Sequence, residues 1–311
     1  MTRMLAVDLG GTHAECALVE GSQVLARELV SIADLTALGP ILPLIESALR
    51  RLNDEGAAQG IGFGFCGLVD KRNARVSSTN EKFNDAVEID LRQWAMERLG
   101  LPLMLENDAR LALLGERHAG AAQQQDDVVM FTLGTGVGGV AMMNGRLLDG
   151  RHGQAGVLGG HVPVNINGRR CTCGGLGCAE SEASGWALPL VCAEWPGYGT
   201  SGLAGLPINF ESLFKCAAAG DEVAKQIQLH CLKVWGAAAV AAIHAFDPEL
   251  LVYGGGVMKS ADAIIPFIQD YVNKYAWTPW GKVRVSAAQL GNDAALIGVI
   301  ALFEQENERV R

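Results

Sequence analysis

The chain has 311 residues, 49% hydrophobic and 19% charged, with a formal net charge of −9. That composition excludes a disordered chain, and the acidic balance excludes a nucleic-acid scaffold, which would carry a basic patch. The length exceeds that of a usual single domain and predicts two lobes.

The N-terminal stretch has Arg3 and a short apolar run before Asp8, without the apolar core and cleavage site of a signal peptide. Residues 4–9 read as a short strand ending at the Gly10-Gly11 turn. Residues 13–19 return as a second strand, and residues 23–30 make a third after Glu20-Gly21. Over residues 36–51, Leu38, Ile41, Leu42, Ile45 and Leu49 recur at helical spacing and predict a helix. Residues 61–65 are the next strand, with Gly62 and Gly64 permitting close approach of another backbone. Asp90 opens a helix through Leu99, closed by residues 100–102. An apolar run at 101–105 then leads into Glu106-Asn107-Asp108-Ala109 and a helix-like run over 109–117. Asp108 is thereby expected at a strand end, where open α/β sheets put their sites.

From Val128 the opening pattern returns. Leu9-Gly10-Gly11-Thr12 starts twelve residues ahead of Gly21, and Leu133-Gly134-Thr135-Gly136 starts twelve ahead of Gly145. Both modules read strand, Gly/Thr turn, strand, turn, which suggests an internal duplication and two lobes of related topology. Residues 150–185 lack regular pattern and are rich in Gly, Cys and His. Residues 194–206 form a Gly/Pro loop, residues 209–246 hold two helices, and residues 248–252 are a strand running into Gly254-Gly255-Gly256. The longest apolar run, residues 234–246, falls short of the ~20 residues that span a bilayer. The expectation is a cytoplasmic protein without membrane or nucleic-acid partner. A final helix opens at 290–293 and runs through Glu304, positioned to pack on the first lobe.

Gly134-x-Gly136-x-x-Gly139 matches the letters of a dinucleotide fingerprint, but Asn144-Gly145 signals a hairpin where that fingerprint needs a helix. Gly254 to Ser260 resembles the end of a P-loop, yet Met258 stands where glycine is required. What remains is three glycine turns at strand ends, offering backbone N–H groups and a threonine hydroxyl to phosphate. Asp8 adds a carboxylate that can reach a phosphate-bound Mg2+. Nucleotide binding is the favoured reading, with Asp108 taking a proton from a substrate hydroxyl. His161, Cys171, Cys173 and Cys178 form a zinc ligand set. Buried structural thiols would not bunch on a polar loop with Arg169 and Arg170, and no position looks open for water. The site is therefore structural. The other five cysteines, Cys16, Cys66, Cys192, Cys216 and Cys231, sit singly among apolar neighbours and read as buried thiols.

Asp8-x-Gly10-Gly11-Thr12, Asn80, Glu106-Asn107-Asp108-Ala109, residues 133–139, the His/Cys₃ set running into Gly177-Cys178-Ala179-Glu180, and Gly254-Gly255-Gly256 occur in the order of one family. Together they resemble the ROK family of sugar kinases and sugar-responsive repressors, in its glucokinase-like branch. The resemblance implies a two-lobed α/β fold of actin-like, hexokinase type. Its small first lobe would cover residues 1–108 completed by a C-terminal helix at 294–311, and its larger lobe residues 109–293 with a zinc loop at 161–178. It implies ATP with Mg2+, a structural zinc ion, a homodimer, and Asp108 as general base for a hexose hydroxyl, usually on C6. Position by position, Asn80, Asn107, Asp108, His161 and Glu180 match the sugar contacts. Asp8, Gly10, Gly11, Thr12, Gly134, Thr135 and Gly255 match the phosphate and nucleotide contacts.

One segment departs from the pattern. The family reads Ala-Gly-Glu-x-Gly-His, its Glu binding sugar; here Ala155-Gly156-Val157-Leu158-Gly159-Gly160-His161 has no acid and is one residue longer. Leu158 stands where the Glu would be. A sugar-responsive regulator and a non-catalytic sugar-binding protein are the alternatives. Regulators carry a DNA-binding domain ahead of the first glycine turn, for which residues 1–7 leave no room, and a pure binder has no need of a base at Asp108.

Overall fold

Short apolar runs and glycine turns build two five-stranded sheets in the structure, a computed structural model that describes residues 2–79 and 82–310. In chain order, the first part runs β1 (Arg3–Leu9), β2 (His13–Glu20), β3 (Gln23–Ser31), α1 (Leu42–Leu52), β4 (Ile61–Phe65), β5 (Leu68–Asp70) and β6 (Arg75–Ser78). It continues through α2 (Leu91–Leu99), β7 (Leu103–Asn107) and α3 (Asp108–Ala119). The second part runs β8 (Val128–Leu133), β9 (Val137–Met143), β10 (Arg146–Leu147), α4 (Ala179–Ala183), α5 (Leu188–Glu194) and α6 (Phe210–Ala218). After it come α7 (Glu222–Phe246), β11 (Leu250–Gly254), α8 (Ala261–Tyr275), β12 (Arg284–Ala287) and α9 (Asp293–Val310).

The two sheets share one topology. Their strand orders are β3-β2-β1-β4-β7 and β10-β9-β8-β11-β12. In each, two antiparallel pairings are followed by two parallel ones. The repeated Gly/Thr turns lie at equivalent corners, β1–β2 and β8–β9, and Gly21 and Gly145 both take positive φ in the hairpin turns that follow.

The chain forms two compact units. One comprises residues up to Gln124, Asp149–Ala155 and the chain from Gln289; the other comprises Gln125–Leu148 and Gly156–Ala288. The expected boundary at residue 108 is therefore displaced, because α3 belongs with the first unit. Its reason is a close crossing of α3 and α9 built on glycine. A Cβ on Gly115 would stand 1.9 Å from the Ala294 carbonyl oxygen, and one on Gly298 would stand 2.0 Å from that of Leu111. Backbone cannot yield as a side-chain tip can, so Gly115→Ala should lower unfolding stability by about 2 kcal/mol or more. Urea melts of the two proteins measure it, and an unchanged midpoint would contradict the crossing. Buried Glu116 ties the same junction, accepting the Gln289, Leu290 and Ala121 N–H groups. Gly62, expected to admit another backbone, instead receives the Val299 side chain of α9.

Helix α1 starts at Leu42, six residues later than its periodicity predicts. Residues before proline avoid helical backbone, so Pro40 keeps Gly39 out of the helix; residues 39–41 form a turn, and Pro43 seats in the first helical turn. In the second unit the run at 234–246 is part of the 25-residue α7, which is long and apolar enough to cross a membrane by length and composition alone. Here it is the core helix, with Ile227, Cys231, Trp235, Ala239 and Ile243 buried against neighbouring elements. Of the solitary cysteines, Cys16, Cys192 and Cys231 are buried, whereas Cys66 and Cys216 are half-buried.

Candidate active site

In the first unit the strand ends of β1, β4 and β7 converge, Asp8 standing in register with Gly64, and Gly64 with Glu106. The chain turns from β7 into α3 at Asn107, whose side chain caps the helix by accepting the Arg110 N–H at 3.1 Å. The Asn107 amide donates to the Gly67 carbonyl at 3.1 Å and to Asp108 Oδ1 at 2.9 Å. The Ala109 N–H, at 2.8 Å, also falls on Oδ1. Oδ2 accepts from neither, so these two bonds fix one oxygen in place. Burial pushes the Asp108 carboxyl up to about 6 against these hydrogen bonds.

Asp8 is pushed up to about 7, first by burial and then by the charges of Asp108 and Glu15. The charge of Asp108 is one of the causes that raise Asp8, and a divalent ion beside Asp8 would offset that repulsion. Asp8 is thus suited to Mg2+. The adjacent turn is closed by the Gly10 N–H on the His13 carbonyl at 3.0 Å, and Lys82 donates to the Gly11 carbonyl. Lys82 brings a cation to the turn that no local motif marked. Asn80 lies outside the described residues.

In the second unit Gly134 and Thr135 line a cavity of about 410 Å³ with Trp186, Asn209, Phe210 and Lys259. The turn is clamped from behind by the Gly185 and Trp186 N–H groups, which bond the Gly134 and Thr135 carbonyls. Gly256 lines this cavity. Gly255, the expected contact, is absent from its lining; a Cβ there would meet the Leu133 carbonyl oxygen at 2.4 Å, and its φ of +89° suits glycine alone. Gly255 sets the turn and its neighbour meets the cavity. Trp186, Asn209–Phe210 and Lys259 come from three separate stretches, and only folding assembles them.

The ligand atoms of His161, Cys171, Cys173 and Cys178 all lie within 4.8 Å of one another. Cys173 and Cys178 Sγ are 3.7 Å apart, and Cys171 Sγ is 3.5 Å from His161 Nδ1. Bonds of about 2.3 Å to sulfur and 2.0 Å to nitrogen give tetrahedral edges of roughly those lengths, so the set fits Zn2+. With Nδ1 turned to the cluster, His161 keeps Nε2 for another partner. The Gly175 N–H lowers the Cys173 thiol, while burial pushes Cys178 up to about 12. Glu180 joins the pieces of this unit. Its Oε2 accepts the Val137 N–H at 3.1 Å, and its Oε1 accepts from Thr172 of the cysteine loop and from the Trp186 indole, both at 3.3 Å. Gly136 must lack a side chain, because a Cβ would stand 2.6 Å from that carboxylate.

The ROK family model matches residues 4–306. The chain is 31% identical to a glucokinase of Thermotoga maritima, covering 97% of this chain and 98% of that protein. It is 27% identical to an N-acetylmannosamine kinase of Haemophilus influenzae, over 95% and 93%. A solved ROK family glucokinase from Streptomyces griseus, in complex with glucose and AMPPNP, superposes with a TM-score of 0.80 at 30% identity, covering 96% of this chain and 98% of that one. With its strand-end Asp108 and its His/Cys₃ loop, this chain belongs to the ROK family, in its glucokinase-like sugar kinase branch.

Proposed function

We propose that the protein transfers the γ-phosphoryl group of ATP to a hexose hydroxyl, the 6-hydroxyl of glucose or a related hexose, with Asp108 as general base. The observation that carries this reading is the Asp108 carboxylate. Oδ1 is held by Asn107 and Ala109, and the raised pKa makes Oδ2 a better proton acceptor than an ordinary aspartate. The hydroxyl proton passes to Oδ2 as its oxygen attacks phosphorus, and the bond to the leaving nucleotide oxygen breaks. Asp8 would hold Mg2+, which would neutralise phosphate charge, and Gly10, Gly11 and Thr12 offer the turn to phosphate. Gly134, Thr135 and the cavity with Trp186 and Phe210 take the nucleotide. Asn107, His161 and Glu180 contact sugar, as Asn80 does in this reading. His161, Cys171, Cys173 and Cys178 hold a structural zinc ion, and the enzyme works as a cytoplasmic homodimer. The test is sugar-stimulated ADP release across glucose, fructose, mannose, allose and their N-acetylated relatives. At least one hexose should raise turnover well above the sugar-free rate, and a flat panel would sink the reading.

Leu158 bears on which hexose it is. It is 41% exposed at the turn before His161, so it is not a core residue. The acid expected there by family resemblance would accept sugar hydroxyl bonds, and losing one charge-assisted bond costs ~1.5–3 kcal/mol. Leu158→Glu should therefore lower the KM for glucose roughly ten- to a hundredfold without loss of fold. An unchanged KM in a variant that melts like the parent would remove Leu158 from the sugar site. The apolar surface of the parent suits a substituent such as an acetamido methyl.

A further inference from the structure

A second cavity, of about 420 Å³, lies wholly within the first unit, between the β5–β6 hairpin and the segment Asp149–Gly153. Its walls carry four permanent cations, Lys71, Arg72, Arg110 and Arg151, against two carboxylates, Asp70 and Asp149. In a chain of net charge −9 that local positive excess is conspicuous. The acids are already committed. Asp149 pairs with Lys71 at 2.5 Å and lies 3.9 Å from Arg110, and Arg110 also pairs with buried Glu106 at 3.4 Å. Asp70 takes the Asn73 amide at 2.7 Å and the backbone N–H groups of Arg72 and Asn73. Arg151 and His152 make no side-chain hydrogen bond or ion pair among the described residues, the charge of Arg72 acts on Asp70, and all three line the cavity.

This geometry is held in place. Arg110 donates to the Ala155 carbonyl at 2.8 Å, Lys71 pins Asp149, and Gly153 presses on β5 so closely that a Cβ would stand 2.7 Å from the Val69 carbonyl oxygen. The segment bearing Arg151 and His152 is thus fixed opposite Arg72, Asn73 and Ser77.

We propose that this cavity binds a small phosphorylated polyhydroxy metabolite. Arg72 and Arg151 would grip the phosphate oxygens with His152, since guanidinium matches phosphate geometry. The hydroxyl of Ser77 and the carbonyl oxygen of the Asn73 side chain meet the ligand's hydroxyls. The volume exceeds what a bare phosphate fills, which is why the ligand carries a polyol.

Isothermal titration with glycerol 3-phosphate, in the absence of sugar and nucleotide and at fixed ionic strength, tests it. That probe is not a hexose kinase product, so the result does not depend on the catalytic reading. Saturable binding is expected, weakened about tenfold by Arg151→Ala and about a hundredfold by Arg72→Ala with Arg151→Ala. Both positions are exposed, and an unchanged melting temperature confirms that the variants fold. Absence of saturable heat in the parent, or parental affinity in the folded double variant, overturns the site. Inorganic phosphate binding as tightly as glycerol 3-phosphate overturns the polyol assignment.

Discussion

Asp108→Asn lowers kcat by about 10²–10⁴-fold while ATP affinity stays near that of the parent. The amide keeps the shape and can still bond the Ala109 N–H through its oxygen, but it cannot accept a proton in the transition state. In the parent, kcat/KM should fall as pH drops through about 6, where Asp108 becomes protonated in the free enzyme. The same substitution moves stability the other way. The folded pKa of about 6 lies above the ordinary 3.8, so between those values the native state binds the proton more tightly than the unfolded chain. Stability from this group is full below about 4 and is lost as pH rises through 6. At pH 7 the Asn variant should therefore be more stable, by on the order of 1–3 kcal/mol. Steady-state kinetics and thermal melts at pH 5 and 7 measure both effects. Near-parental kcat in the variant would remove Asp108 from the base role.

Cys171→Ser or Cys178→Ser should take zinc content from about one per chain to near zero and unfold the loop around it, since structural zinc supplies folding energy directly. Both side chains are buried, at 4% and 1% exposure, so the serine hydroxyl would replace a thiolate inside a packed site. Sugar-dependent turnover should drop at least tenfold, because His161 loses the anchor that aims its ring. Acid should release the ion as well. Cys178 sits near 12 without a cation, so protons compete with zinc more strongly as pH falls. Elemental analysis checks each statement, and a parent protein prepared without chelator that holds no zinc would end the argument.

The strand-end placement of Asp108 was readable in the sequence because its signal is local: an apolar run, Asn107 and a helical run in continuous order. The duplicated turns were readable for the same reason, and the shared topology of the two sheets follows from them. The His/Cys₃ set spans 18 residues and its chemistry is carried by residue type alone. What failed was long-range. Helix periodicity could not show that prolines delay α1, since Ile41 and Leu38 are buried whether or not they are helical. Nothing near residue 108 revealed that α3 would be claimed by a helix beginning 185 residues later, at Asp293. Gly255 and Gly256 are indistinguishable as letters, and only the packing on Leu133 separates turn from lining. Trp186, Phe210 and Lys259 looked like ordinary core and surface residues.

The way the chain is divided also bears on the order in which the protein is made. The second unit is nearly continuous, interrupted only by Asp149–Ala155, whereas the first is begun by the opening 124 residues and finished by α9. Gly62 waits for Val299, and Gly60 for Phe303. During synthesis the sheet of the first unit emerges before α9 and stays uncovered on its α9 side until that helix has left the ribosome. The later-made unit can bury its core before then. Asp8 and Asp108 are therefore translated well before α9, the helix that completes their unit.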